Sequence, residues 1–149
     1  MDYMKLAADA TFVGMANKVG GPFGATIVRG DEIIAVVSNT MMRDTDVSAH
    51  AEMVAIREAT KKLGTMDLSD CVIYATCEPC PMCVSAIIWS GIKEVYYCNT
   101  SEDADKHGFS DMHLRKYLTG EDKSVLNMVK VEKREDCDQL FEFFHKLNK

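Results

Sequence analysis

The sequence predicts a single α/β domain, residues 1–149, in which a mixed sheet lies between helices. Three observations carry this. Short β-branched runs alternate with segments whose apolar residues recur at helical spacing. Glycine and proline fall at the boundaries between them. The 149 residues suffice for one well-buried core, and no repeat, low-complexity stretch or Pro/Ser linker divides them.

The elements follow in order. Asp2 to Val19 carries Leu6, Ala10 and Val13 at helical spacing, and Gly20-Gly21-Pro22 is expected to stop that helix. Ala25 to Arg29 and Glu32 to Ser38 flank Gly30-Asp31 and predict a hairpin. Ser48 or Asp46 is expected to cap a helix from about Ala49 to Lys62, ended by Gly64. Val72 to Thr76 predicts a strand. Pro81 to Trp89 predicts a helix with proline in its first turn and Gly91 beyond its end. Lys93 to Cys98 predicts another strand, and Ser101 to Gly120 a helix plus loop. Ser124 to Val131 reads as a late strand, and Asp136 to Leu147 as a final helix. This order implies a three-layer α/β/α arrangement, with the later strands parallel through right-handed crossovers.

Composition narrows the function. The chain is 47% hydrophobic and 27% charged, as folded domains are. A formal net charge of −6 argues against a protein that grips a nucleic-acid backbone and favours a small substrate. No window reaches the roughly 18 apolar residues of a membrane span. The N-terminus has an early acid and no long apolar core, so it does not read as a signal peptide. Three of the six cysteines, Cys77, Cys80 and Cys83, lie within seven residues. That clustering fits metal binding in a reducing, cytoplasmic compartment better than disulfides.

Two pieces carry chemistry: His50-Ala51-Glu52 and Pro79-Cys80-Pro81-Met82-Cys83. Zinc favours thiolate and imidazole donors in a tetrahedral shell, and three protein donors leave a position for water. Cys80 and Cys83 are three apart, on one face of a helix start whose partial positive charge favours thiolate. An ideal helix would point His50 and Glu52 roughly 200° apart. They can share a site only if it lies over the helix tip, so two helix N-termini are expected to meet at one zinc ion. Two thiolates would balance the charge of Zn2+, with neutral His50 as third ligand. Glu52 is then the candidate proton shuttle, taking a proton from water and passing it to a ring nitrogen and the leaving ammonia. The competing arrangement is a closed structural site with Cys77 as fourth ligand.

The spacing His-x-Glu followed by Pro-Cys-x-x-Cys resembles the cytidine deaminase-like superfamily. The resemblance runs from Gly20-Gly21-Pro22-Phe23-Gly24-Ala25 through Ala49-His50-Ala51-Glu52 and Cys77-Glu78-Pro79-Cys80-Pro81-Met82-Cys83 to Ala86-Ile87-Ile88-Trp89. The glycine-rich opening and Gly108-Phe109-Ser110-Asp111 look most like guanine and guanosine deaminases. The resemblance implies a five-stranded mixed sheet between helices, zinc, a homodimer and a small purine substrate, with guanine converted to xanthine.

It also implies roles. Asn39 would bind the base through its amide, or else serve as a turn residue. Phe23 would stack near the base, or else fill the core. The Ala51 N–H would contact the base, and the Cys80 N–H would orient water. Asp111 would read the guanine edge, because a carboxylate accepts from N1–H and the 2-amino group together; the plain alternative is a solvated loop acid. The C-terminal helix, about 136–147, would close the site with Phe141, Phe143 and Phe144, or simply bury itself. The tail lacks the terminal tyrosine of the bacterial form.

Two rivals share these motifs. A tRNA adenosine deaminase carries the same core nearly letter for letter. A non-catalytic zinc-binding module would have no use for Glu52. Trp89 is expected to pack a helix against the sheet or a partner subunit. Cys71 and Cys98 are expected in the core, Cys77 as support for the site.

Overall fold

The computed structural model describes residues 1–148, and the chain falls into two compact units, Met1–Arg115 and Lys116–Lys149.

The first unit opens with α1 (Tyr3–Ala16), whose N-cap Asp2 accepts a hydrogen bond from the Lys5 N–H at 3.0 Å. The helix ends before the glycines expected to stop it. Asn17 caps it and Lys18 turns left-handed at φ 56°. The hairpin β1 (Gly24–Arg29) and β2 (Glu32–Ser38) follows as expected. A bulge leaves Ile34 between the pairs Ile27–Ala35 and Val28–Ile33.

A short helix α2 (Met41–Asp44) was not foreseen. Next come α3 (Ala51–Leu63), β3 (Val72–Cys77), α4 (Pro81–Ser90), β4 (Val95–Asn99) and α5 (Ser101–Lys106). Helix α6 (Met112–Thr119) is the second helix of the stretch read as helix plus loop. Gly64 and Gly91 end α3 and α4 in left-handed conformations, at φ 66° and 87°, as their positions predicted.

The strands order β2-β1-β3-β4. Strand β1 is antiparallel to both β2 and β3, and β3 is parallel to β4. The sheet is therefore mixed, with helices on both faces. Ala25, Ile27 and Ile73 join Ala51, Ala55 and Ala59 of α3 and Ile87 of α4 in one buried cluster. The three alanines recur every four residues, so α3 lies close on the sheet with no long side chain between. On the opposite face, the Thr26 hydroxyl donates to the Tyr3 carbonyl of α1 at 3.0 Å. Tyr3, Tyr74 and Tyr96 form an aromatic row there, with 5.2 Å between successive ring centroids. Gly24 has no room for a Cβ, which would strike Thr11 Oγ1 and the Ala7 carbonyl.

The second unit holds α7 (Glu135–Leu147). The strand expected over Ser124–Val131 is absent: these residues lie exposed and without regular structure. A valine-rich apolar run makes a strand only where a neighbouring strand takes its backbone N–H and C=O groups, and no strand lies within this unit among the described residues. The sheet thus has four strands where five were expected.

Two readings of burial are narrowed or corrected. Trp89 is 89% exposed on α4, so of its two expected roles packing on the sheet is excluded. Cys98 is exposed, in the run of exposed side chains that begins at Tyr96 on the edge strand β4, whereas Cys71 is buried as expected.

Candidate metal centre and active-site cavity

Two N-caps build the centre. His50 caps α3 and Cys80 caps α4, both with extended backbone and neither spending its side chain on its helix. The cap expected from Ser48 or Asp46 does not form. Asp46 Oδ1 instead accepts from the Ser48 N–H at 2.8 Å and the Ser48 hydroxyl at 2.7 Å, closing the loop before the helix. The His50 ring turns towards the sulfurs, and the first N–H groups of α3, Ala51 among them, are left without intrahelical partners.

Cys80 lies just beyond the C-terminal end of β3, and Cys83 lies buried in the first turn of α4. His50 Nδ1 is 3.6 Å from Cys80 Sγ and 3.6 Å from Cys83 Sγ. All three donor atoms lie within 4.8 Å of one another. Tetrahedral zinc, with Zn–S about 2.3 Å and Zn–N about 2.0–2.1 Å, needs nitrogen and sulfur roughly 3.6 Å apart. The donor set fits that ion in type and in spacing. Cys77 is not part of it: its thiol points to the Thr100 carbonyl at 3.6 Å, so the closed four-ligand alternative is not built.

The electrostatics follow from the crowding. The hydrogen bond from Cys83, then that with His50, brings the Cys80 thiol down to about 4, while Cys83 is pushed up as the protonated partner. His50 is raised, first by its hydrogen bond with Cys80. Glu52, in the first turn of α3 and only 6% exposed, is raised by burial.

A cavity of about 320 Å³ opens over the centre. His50, Glu52 and Cys80 line it with Phe23, Asn39, Phe109 and Asp111. His50 and Glu52 therefore do share a site over the helix tip. Asn39 is 4% exposed, and its Oδ1 accepts from the Met41 N–H at 3.0 Å and the Gly21 N–H at 3.4 Å. With the oxygen so held, the amide's Nδ2 donors are the group left for the cavity. Phe23 meets Phe109 edge-on, with ring centroids 5.4 Å apart at 88°.

Asp111 stands at the start of α6, and both its oxygens are taken by Arg115. Nε donates to Oδ1 at 3.0 Å, and Nη2 lies 2.9 Å from Oδ2. Neither Phe109 nor Arg115 was singled out for a role from sequence. The Asp111-x-x-x-Arg115 spacing is a helical pair, but helix and loop could not be separated there.

The chain's first 99 residues match the cytidine and deoxycytidylate deaminase zinc-binding region. Guanine deaminase of Bacillus subtilis is 44% identical over 116 residues, 78% of this chain and 74% of that protein. A tRNA-specific adenosine deaminase of Buchnera aphidicola is 33% identical over 144 residues, 97% of this chain and 92% of that protein. The crystal structure of the B. subtilis guanine deaminase superposes with a TM-score of 0.89 and 36% identity, covering 96% of this chain and 92% of that one. This chain accordingly belongs to the zinc-dependent deaminases that share the cytidine and deoxycytidylate deaminase zinc-binding region.

Proposed function

We propose that the protein hydrolytically deaminates guanine to xanthine, releasing ammonia. One observation carries the choice of base: the Asp111 carboxylate faces the same cavity as Glu52 and the His50-Cys80-Cys83 centre. A carboxylate there accepts from N1–H and the 2-amino group of guanine together, and adenine offers neither donor. The likeness to the B. subtilis guanine deaminase supports the same reading.

The roles divide as follows. His50, Cys80 and Cys83 hold zinc, which when bound activates water for attack on the amine-bearing carbon. Glu52 takes one proton from water and gives it to the ring nitrogen, then takes the second from the new C–OH and gives it to the amine, which departs as ammonia. Its burial keeps bulk water from competing for those protons. Asn39 donates through Nδ2 to an acceptor on the base, and the Ala51 N–H does likewise from the helix tip. Phe23 covers a ring face, steadied by Phe109.

The substrate is a free purine rather than a nucleic acid, consistent with the net charge of −6. A cytoplasmic homodimer belongs to the same proposal. Val84, Ile88 and Trp89 make an exposed apolar face on α4 that a second copy would cover, and sedimentation would report its mass.

The length of the Buchnera match favours one second reading, deamination of adenosine in tRNA. Ammonia release measured across guanine, guanosine, adenine, adenosine, cytosine and cytidine separates the two. Guanine is expected to be the preferred substrate. Release from none of these, together with salt-sensitive binding and deamination of a tRNA anticodon stem-loop, would replace the first reading by the second.

A further inference from the structure

Arg115 sits behind the group assigned to base recognition and ties it to the metal-binding helix. Its Nη2, 2.9 Å from Asp111 Oδ2, also reaches the Pro79 carbonyl at 3.4 Å and lies 3.7 Å from Glu78 Oε2. Glu78 Oε1 in turn accepts from the Ser101 N–H at 3.0 Å. Glu78 and Pro79 immediately precede Cys80. An ordinary i,i+4 helix pair has no such reach. Here one guanidinium spans the start of α6 and the turn that delivers a candidate zinc ligand.

We infer that Arg115 is a positioning residue for base recognition, holding the Asp111 carboxylate in plane and in register with the Glu78-Pro79 turn. The inference rests on the reading of Asp111 as the group that accepts the purine's donor pair. Unheld, a carboxylate on a loop turns about its terminal bond and presents no fixed edge. The Nε–H···Oδ1 hydrogen bond at 3.0 Å and the close charge contact of Nη2 with Oδ2 at 2.9 Å engage both oxygens and restrain that rotation. Each oxygen keeps a further lone pair, so the carboxylate can still accept two donors from the substrate. Fixing Asp111 against the segment that carries Cys80 sets where the N1–H and 2-amino edge, and with it the reacting carbon, lies relative to the candidate metal centre. Lysine cannot replace it, because an ammonium offers a point charge and not a fork.

The test compares the zinc-loaded enzyme with R115A, R115K, D111N and the R115A/D111N double variant. Guanine is the substrate, and hypoxanthine, which keeps N1–H but lacks the 2-amino group, is the competitive inhibitor. Zinc content and melting temperature are recorded for each variant. R115A is expected to lower kcat/KM for guanine roughly tenfold to a hundredfold, with part of the loss in kcat because the 2-amino group that Asp111 holds is also the leaving amine. The ratio of hypoxanthine Ki to guanine KM falls to that of D111N. R115K recovers only part of it, and the double variant is no worse than D111N. If R115A does not fold, R115K and R115Q carry the same ratio test. The inference is overturned if Arg115 variants keep that ratio while D111N loses it, in which case Asp111 reads the base unaided. It is also overturned if the two substitutions multiply in the double variant. If D111N itself leaves the ratio unchanged, the reading of Asp111 fails and Arg115 positions nothing.

Discussion

Gly20 packs so closely on Asn39 that no Cβ fits between them: it would strike both the Asn39 carbonyl and its side-chain Oδ1. The glycine is there for space. It lets the backbone of the loop after α1 press Asn39 into position, while Gly21 and Met41 hold its oxygen. Gly20→Ala is therefore expected to push Asn39 from the cavity wall. Catalytic efficiency should fall at least about tenfold, with an overpacking cost on the order of 1–3 kcal/mol. Steady-state kinetics and urea melts on one preparation measure both.

Glu52→Gln keeps the size of the side chain and removes the base. Zinc content should be unchanged while kcat falls roughly 10²–10⁴-fold or more. Cys80→Ala should lose zinc and activity together. Metal analysis beside ammonia release separates the two outcomes. If E52Q turns over guanine as fast as the parent, Glu52 loses its assigned role.

Zinc removal should destabilise the first unit. Neither α3 nor α4 has a side-chain N-cap bond, each of which is worth about 1 kcal/mol in other helices. The metal is the tie between those two helix starts, and binding energy of that kind is folding energy. Chelation should lower the melting temperature by several degrees, and added zinc should restore it.

Five of the six cysteines should separate in a timed alkylation at neutral pH, read by mass spectrometry. Cys98 and Cys137 are exposed and should react first. Burial, aided by Asp70, raises Cys71 to about 11, and burial raises Cys77 to about 11. A raised thiol pKa means less thiolate at neutral pH, so both should resist until the pH approaches that value or the chain unfolds. Cys80 is half-buried and lowered to about 4, and should become reactive once the zinc is chelated.

The metal centre was legible in the sequence because its parts are local. Cys80 and Cys83 sit in one helical turn, His50 and Glu52 in another, and donor chemistry alone pairs them with a zinc ion. Helix stops at Gly64 and Gly91 were legible for the same reason: a left-handed residue is a local demand. What depends on distant partners was not. Phe109 meets Phe23 across 86 positions, and no pattern announces an edge-on pair. Arg115 looked like any surface arginine until α6 brought it to Pro79. Ser124–Val131 has the valine-rich apolar content of a strand, but no strand lies beside it in its unit among the described residues. Cys98 was assigned to the core because it lies in an apolar strand, yet apolar side chains also make up much of a folded surface.

The buried alanines Ala51, Ala55 and Ala59 govern how deep α3 settles on the sheet, and Glu52 rides on that helix. Substrate scope is thus set partly by residues that never meet a substrate. Ala55→Leu, away from the cavity lining, would lift the helix and withdraw the carboxylate with it. A mutagenesis library meant to broaden the range of accepted bases should leave that stripe fixed and vary Phe23 and Phe109, where a change in ring size alters the walls without shifting the floor.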